Sequence, residues 1–229
     1  MIADRLTEVR ARIAAAARSA GRDPLTVRLI AVSKTIALDR ILEAYAAGQR
    51  DFGENRVQEA LQKIQSSTEF LISWHLLGHL QTNKARKAGT AFATIQSVDD
   101  IELLEKIDVA AAEAGTSPEL LIQVDLAGEK SKFGTPPAEV PRLFEAAGRM
   151  RAARVVGLMV LPPLATVPED ARPWFRQAHE LREGWLAGGV PRPMLRELSM
   201  GMSGDFEVAI QEGATMVRVG TAIFGSRHV

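Results

Sequence analysis

The feature that most constrains the fold is a regular alternation of short apolar runs with longer stretches of helical spacing. The apolar runs are short and strand-like, as in residues 28–33 (RLIAVS). Such alternation predicts parallel strands joined by right-handed crossovers. The predicted strands are residues 28–33, 51–52, 73–77, 92–96, 120–124, 154–159, 195–198 and 215–219.

Nearly every predicted strand is followed by a predicted helix, and one more helix precedes the first strand. The helices are residues 1–20, 38–47, 55–64, 83–88, 99–114, 137–148, 168–185 and 204–212. Eight repeats favour an α/β protein with a closed (β/α)8 TIM-type barrel and an extra N-terminal helix. An open doubly wound sheet is also compatible, although no glycine-rich dinucleotide fingerprint follows the first strand. No linker divides the chain, so we expect one domain over residues 1–229.

The amino-acid composition excludes several classes of function. Lys plus Arg equals Asp plus Glu, 28 against 28, which gives no electrostatic footprint for nucleic acid or an anionic membrane. The chain has no cysteine, which excludes disulfides and thiol catalysis. The N-terminal stretch lacks the unbroken apolar segment of a signal peptide, and no apolar run approaches a membrane span. We expect a cytoplasmic protein, and a monomer by default.

Lys34 directly follows the first predicted strand. In a βα-barrel the working groups lie at the carboxyl ends of the strands, so the amine should lie near the barrel mouth. Partial desolvation there can make a lysine a usable nucleophile. Position alone favours the simpler interpretation of a lysine that reaches water.

The residues after the last two strands favour a functional role for Lys34. Ser203 and Gly204 are predicted to open a helix after a glycine-containing turn, and Gly220 and Thr221 follow the eighth strand. Barrels often bind phosphate after strands seven and eight, through backbone N–H groups beside small residues. The alternative is an ordinary capping turn. Two such segments at the expected strand ends favour a phosphate site.

Arg218 shares a strand face with Gly220, so it is predicted to point into the barrel. The alternative is a partner for a core carboxylate such as Glu197. A phosphate site, a lysine and an inward arginine together indicate pyridoxal 5′-phosphate (PLP). An arginine at the ring nitrogen would keep that nitrogen largely unprotonated and weaken the ring as an electron sink.

Two other groups of polar residues are not predicted to form a binding site. His75 and His79 have the i, i+4 spacing of some metal ligands, but they lie in a strand-to-loop segment rather than on a helix, so we predict no metal site. The basic residues between His75 and Lys87 lack interleaved aromatic residues and indicate a solvated helix face.

Six segments resemble, in order, the motifs of the pyridoxal phosphate homeostasis protein family. They are residues 31–35 (AVSKT), 53–59 (GENRVQE), 74–84 (WHLLGHLQTNK), 129–134 (EKSKFG), 199–205 (SMGMSGD) and 217–225 (VRVGTAIFG). One motif alone would be weak, but six in order along nearly the whole chain are highly specific. Two positions depart from the family pattern: Asp125 stands where asparagine is usual, and Val160 where a smaller residue is common.

The resemblance implies a stand-alone barrel like the N-terminal domain of alanine racemase, with PLP held on Lys34 as a Schiff base. Asn55 would lie beside the ring, and Arg218 would face the ring nitrogen. Family members are regarded as carriers or regulators of vitamin B6 without established turnover, so PLP-dependent apo-enzymes are the implied partners. By the same resemblance, the phosphate would be held by Ser203, Gly204, Gly220 and Thr221.

Two enzymatic alternatives remain. A racemase needs an acid/base group on each face of the substrate, and the single tyrosine, Tyr45, is predicted to pack on the first barrel helix. Racemase activity is therefore expected to be weak. A phosphate-binding isomerase without a cofactor would need a strand-end base, for which Glu54 and Asp125 are the candidates.

Overall fold

Eight parallel strands close into a barrel, in the order of the sequence, in the computed structural model. The structure describes residues 1–128, 133–163 and 166–225. The first and last strands pair through Arg28 with Met216 and Ala31 with Val219, which closes the sheet. The strands are β1 (Arg28–Val32), β2 (Asp51–Glu54), β3 (Ser73–Leu76), β4 (Thr94–Val98), β5 (Glu119–Val124), β6 (Arg154–Val160), β7 (Glu197–Ser199) and β8 (Met216–Val219).

Helices surround the barrel and connect its strands. They are α1 (Ile2–Ser19), α2 (Leu38–Ala46), α3 (Val57–Gln65), α4 (Ala85–Ala91), α5 (Ile101–Ala114), α6 (Val140–Ala147), α7 (Arg172–Ala187), α8 (Phe206–Gln211) and α9 (Thr221–Phe224). The predicted TIM-type barrel with an additional N-terminal helix is confirmed. Within the described ranges, no helix combines the length and the apolar character needed to cross a membrane.

The N-terminal helix covers the place where the barrel closes. Leu6, Val9 and Ile13 lie on one face of α1 at helical spacing, and all three are buried. This face packs against α2, α8 and α9, whose neighbouring strands are the first and last of the barrel. Burial of this apolar face therefore secures the seam between β8 and β1.

Several predicted boundaries are wrong by a few residues. The second strand extends to Glu54, because its last residues pair with His75 and Leu76 of β3. The seventh strand begins at Glu197, since residues 192–195 form a 3-10 turn. The eighth helix begins at Phe206 rather than Gly204, and the short helix α9 was not predicted.

Candidate functional site

Lys34 lies in a tight turn directly after β1. The backbone N–H of Ser33 donates to the carbonyl of Gly53 on β2 at 2.9 Å, and the N–H of Ile36 donates to the carbonyl of Ser33 at 2.9 Å. Between them, Thr35 has a φ of 64°, the only non-glycine residue with positive φ among those described. This conformation is uncommon for a β-branched residue and costs free energy, so the surrounding contacts must hold it. Lys34 itself is half-buried at the mouth.

Those contacts come from four side chains, Ser33, Glu54, Glu59 and Lys63, which we call the lysine cluster. Lys63 Nζ donates to the carbonyl of Ser33 at 2.9 Å and to the Oε1 atoms of Glu54 and Glu59 at 2.8 Å each. Glu59 Oε1 also accepts the N–H of Thr35 at 2.7 Å, and Ser33 Oγ donates to Glu54 Oε1 at 2.5 Å. The cluster therefore holds the backbone on both sides of Lys34.

The two carboxyl groups of the cluster are perturbed in opposite directions. Burial raises the pKa of Glu54 above its ordinary value, although hydrogen bonds from Lys63 and Ser33 oppose the shift. Burial also acts on Glu59, but hydrogen bonds from Lys63 and the Thr35 N–H prevail and lower the pKa of Glu59. Glu54 Oε2 is buried without a hydrogen-bond partner in the described part of the chain.

Asn55 follows β2 and is held close to the end of β3. A Cβ atom on Gly78 would lie 2.2 Å from the carbonyl oxygen of Asn55, so only glycine permits this approach. Asn55 is half-buried. It therefore lies beside the mouth, one strand from Lys34.

The two segments predicted to bind phosphate are joined by a hydrogen bond. Ser203 Oγ accepts the backbone N–H of Gly220 at 3.1 Å, which ties the turn after β7 to the turn after β8. We call these residues, 200–205 and 220–221, the β7–β8 turns. A Cβ atom on Gly220 would lie 3.2 Å from the carbonyl oxygen of Val32, so Gly220 packs against the end of β1. Thr221 is exposed at the start of α9.

The prediction that Ser203 and Gly204 open a helix is wrong. Both lie in a turn, because Asp205 Oδ1 accepts the N–H of Met202 at 2.6 Å and the N–H of Phe206 bonds to the Met202 carbonyl at 2.9 Å. Nothing lies within 4 Å of a Cβ atom built on Gly204, which is exposed. The backbone of this turn is accessible, although the helix begins only at Phe206.

Arg218 points into the barrel and is 4% exposed. Its Nη1 donates to Ser199 Oγ at 2.7 Å and its Nη2 to the carbonyl of Val160 at 2.9 Å. Burial lowers the pKa of Arg218 to about 10, which leaves it charged at neutral pH, and the nearby carboxylate of Asp205 opposes the shift. Glu197, the alternative partner, instead contacts Arg28 and Arg196.

The predicted site residues thus follow four strands that are neighbours in the closed barrel. Lys34 and Asn55 follow β1 and β2, Ser203 and Gly204 follow β7, and Gly220 and Thr221 follow β8, while Arg218 lies within β8. The packing of Gly220 on Val32 brings the β7–β8 turns within two residues of Lys34 along β1. The amine and the small-residue turns therefore share one side of the mouth.

Three further sequence features can be compared with the structure: the motif at residues 129–134, Asp125 and the two histidines. Of the motif at residues 129–134, residues 129–132 lie outside the described residues. Asp125 uses Oδ1 to accept the N–H groups of Ala127 and Gly128, so its carboxylate turns back on its own loop. The two histidines diverge: His75 is buried inside the barrel, whereas His79 stacks on Phe133 at a centroid distance of 3.5 Å.

Sequence reasoning missed the parts played by Glu54, Glu59 and Lys63. Glu59 and Lys63 are an i, i+4 pair of opposite charge on a predicted helix, which was a readable signal. It did not indicate that Glu54 and the turn around Lys34 would join the pair. The contacts of Gln96 and Ser199 inside the barrel were also missed: Ser199 belongs to the motif at residues 199–205, but nothing in the sequence indicated that it would join Gln96 to Arg218.

Comparison with known proteins identifies the class of this barrel. Residues 5–228 match the family described as alanine racemase, N-terminal domain. An alanine racemase of Clostridium difficile superposes with a TM-score of 0.73 over 99% of this chain and 58% of its own, and its identity of 15% shows the fold alone.

Closer relatives define the family within that class. The pyridoxal phosphate homeostasis protein of Aquifex aeolicus is 41% identical over 98% of this chain and 97% of its own. PipY of Synechococcus elongatus, solved with PLP bound, is 43% identical and superposes with a TM-score of 0.84 over 98% of this chain and 100% of its own. The chain belongs to the pyridoxal phosphate homeostasis protein family.

Proposed function

We propose that this protein binds PLP through a Schiff base on Lys34 and serves intracellular PLP homeostasis without catalytic turnover. The observation that carries the proposal is the packing of Gly220 against Val32, which sets an accessible, small-residue turn beside the last residue of β1, two residues before Lys34. PipY, which shares the fold along its whole length, has been solved with PLP bound. We further propose that residues 1–229 form one PLP-binding domain.

The residues at the mouth fit each part of the cofactor. The Lys34 amine would condense with the aldehyde, with loss of water, and Asn55 would lie beside the ring. The phosphate would be held by Ser203, Gly204, Gly220 and Thr221, where the exposed backbone at Gly204 and Thr221 offers N–H groups and the small residues permit a close approach. PLP itself supplies a reactive aldehyde and an electron-withdrawing ring.

Arg218 supports a binding role over a catalytic one. The described residues include no carboxylate within ion-pair distance of its buried guanidinium, and two of the five N–H groups of that side chain are used by Ser199 and Val160. A permanent donor at the ring nitrogen would keep that nitrogen unprotonated, which weakens the ring as an electron sink.

The racemase alternative lacks a second base from tyrosine. Tyr45 packs edge-on against Phe70 at a centroid distance of 5.3 Å, and its hydroxyl accepts the N–H of Leu71 on the outside of the barrel. We therefore propose a cytoplasmic, monomeric carrier that can pass PLP to apo-enzymes, with racemase activity weak at most.

An absorbance spectrum tests the binding proposal. The purified full-length chain incubated with PLP should be yellow, with a Schiff-base band that borohydride abolishes by fixing the cofactor covalently. Lys34→Ala should lose the band and the covalent link, while Lys87→Ala, at an exposed lysine on α4, should keep both. An unchanged band in Lys34→Ala, or a wild-type chain that gains none, would refute the proposal.

Two further measurements test the absence of turnover and the carrier role. Chiral analysis of alanine and serine after long incubation should show little racemisation. Turnover at ordinary enzymatic rates would favour the racemase over the carrier.

Mixing the PLP-loaded protein with a PLP-dependent apo-enzyme should restore the activity of that enzyme, and Lys34→Ala loaded in parallel is the control.

A further inference from the structure

A continuous chain of hydrogen bonds crosses the interior of the barrel and ends on Arg218. Arg218 Nη1 donates to Ser199 Oγ at 2.7 Å, and Ser199 Oγ donates to Gln96 Oε1 at 2.7 Å. Gln96 Nε2 lies 3.3 Å from His75 Nδ1, and His75 Nε2 lies 3.0 Å from Asp51 Oδ1. We call these five residues the interior chain. It crosses the barrel from the first residue of β2 to the next-to-last residue of β8.

The two ends of the interior chain fix its direction. A guanidinium only donates hydrogen bonds, and an ionised carboxylate only accepts them. Ser199 must therefore accept from Arg218 and give its hydroxyl proton to Gln96 Oε1. The amide then donates to His75 Nδ1, so His75 carries its proton on Nε2, facing Asp51. Each polar group has one consistent orientation.

Burial makes that orientation costly to change. Gln96, Ser199 and His75 are each 0% exposed, so no bulk water can replace a lost partner. If the Gln96 amide turned over, its NH2 group would face Ser199, whose proton would then point at a guanidinium that cannot accept it. The amide is thus locked by both of its neighbours.

We propose that Gln96 and His75 are positioning residues for Arg218, acting through Ser199. Asp51 anchors the far end of the interior chain, near the amino ends of the strands and remote from the mouth. The consequence for PLP rests on the proposed function, in which Arg218 faces the ring nitrogen. Substitution of Gln96 or Ser199 would then alter the hydrogen bond to that nitrogen while leaving the Schiff base on Lys34 intact.

The ligand-free protein provides the first test. Nitrogen NMR at neutral pH should show that His75 carries its proton on Nε2 and that Nδ1 is unprotonated. The guanidinium protons of Arg218 should exchange slowly with solvent, and faster in Ser199→Ala. Protonation of His75 on Nδ1, or exchange at Arg218 that Ser199→Ala leaves unchanged, would overturn the proposal whether or not the chain binds PLP.

The PLP-loaded protein provides the second test, with isotope-labelled nitrogen in the ring. Ser199→Ala and Gln96→Met should shift the ring-nitrogen resonance and weaken PLP binding about threefold to tenfold, the scale of one ordinary hydrogen bond. Gln96→Glu keeps an acceptor for Ser199, so it should preserve more of the wild-type PLP binding than Gln96→Met does.

Ser97→Ala is the matched control. Ser97 is also 0% exposed and also donates a 2.7 Å hydrogen bond, but its acceptor is the carbonyl of Gly78 and it lies outside the interior chain. It should lose comparable stability without a shift of the ring nitrogen. Equal shifts in Ser97→Ala and Ser199→Ala, or none in any folded variant that forms the Schiff base, would overturn the proposal. A wild-type chain without a Schiff base would refute the proposed function instead, and the ligand-free measurements would still decide the role of the interior chain.

Discussion

Two sides of the barrel mouth are built from different chemistry. At β1 and β2, a charged side chain, Lys63, holds two carboxylates and a backbone carbonyl around Lys34. At β7 and β8, the contacts are two hydrogen bonds from backbone N–H groups, Gly220 to Ser203 Oγ and Met202 to Asp205 Oδ1, and the packing of Gly220 on backbone. The first side is held by a buried ion-pair network, whereas the second depends on the close packing that Gly220 permits.

The difference matches what each side is proposed to hold. An amine that forms a reversible covalent bond needs a fixed backbone, and the lysine cluster supplies it for the turn that contains Thr35. A phosphate is recognised by exposed N–H groups, which any added side chain can block. Substitutions should therefore act through lost charge pairing on the first side and through added bulk on the second.

Removal of Lys63 should have the largest effect. Lys63→Met leaves Glu54, which is 0% exposed, without its cation, and an uncompensated buried charge costs about 3 kcal/mol or more. Urea unfolding at neutral pH measures the loss. Lys106→Met is the control, because Lys106 pairs with Glu102 on the exposed face of α5, where such a pair contributes only about 0.5 kcal/mol. Similar losses in both variants would contradict the asymmetry between the two sides.

An added methyl group should distinguish two glycines of the β7–β8 turns. In Gly220→Ala the new Cβ would lie 3.2 Å from the carbonyl oxygen of Val32, which is backbone and can move little, so we expect a loss of about 1–2 kcal/mol. In Gly204→Ala the Cβ meets nothing within 4 Å, and stability should change by less than about 0.5 kcal/mol. Thermal unfolding of both variants measures the difference, and equal losses would show that Gly220 is not packed as described.

The sequence was sufficient to predict the barrel because its alternation is strong and repeated. Buried parallel strands such as β5 and β6 are continuous apolar runs, and they were located to within one residue. The second and seventh strands were misplaced at their ends, because both are short and depend on pairing with their neighbours. A 3-10 turn next to β7 has no distinct apolar pattern of its own.

The candidate site was predictable one residue at a time but not as a network. Lys34 and Gly220 were indicated by their positions at strand ends, which the barrel fold converts into proximity. The hydrogen bond from Gly220 to Ser203 and the joining of Glu54 with Lys63 depend on side-chain rotamers across different elements. No spacing along the chain encodes such contacts, so only the folded structure reveals them.

The pH dependence of stability should differ between the two sides. Burial raises the pKa of both Glu54 and Asp205, so the stability each contributes is present below its ordinary pKa and is lost as pH rises through the raised value. Glu59 has the opposite sign, because its pKa is lowered and its contribution is lost as pH falls. The lysine cluster thus contains two opposing titrations, whereas the described β7–β8 turns contain one.

Urea midpoints from about pH 3 to 8 can separate these titrations, because the ordinary carboxyl pKa values lie near 4 and the raised and lowered values lie on opposite sides of them. Glu54→Gln and Asp205→Asn should each remove part of the decline in stability as pH rises, because neither amide titrates. Glu59→Gln should instead remove part of the increase in stability that occurs as pH rises. Identical profiles for wild type and Asp205→Asn would mean that Asp205 titrates as a solvated carboxyl.

A small loss of stability is expected from removal of the Ser203 hydroxyl, which joins the two turns. Ser203→Ala leaves the N–H of Gly220 without its acceptor at 3.1 Å, and because Ser203 is only half-buried, water can replace much of that bond. We expect a loss of about 0.5–1 kcal/mol in thermal unfolding, with Ser203→Thr close to wild type because it keeps the hydroxyl. A larger loss, approaching that of Lys63→Met, would mean that the β7–β8 side depends on a polar side chain as strongly as the lysine side does, and the contrast between the two sides would fail.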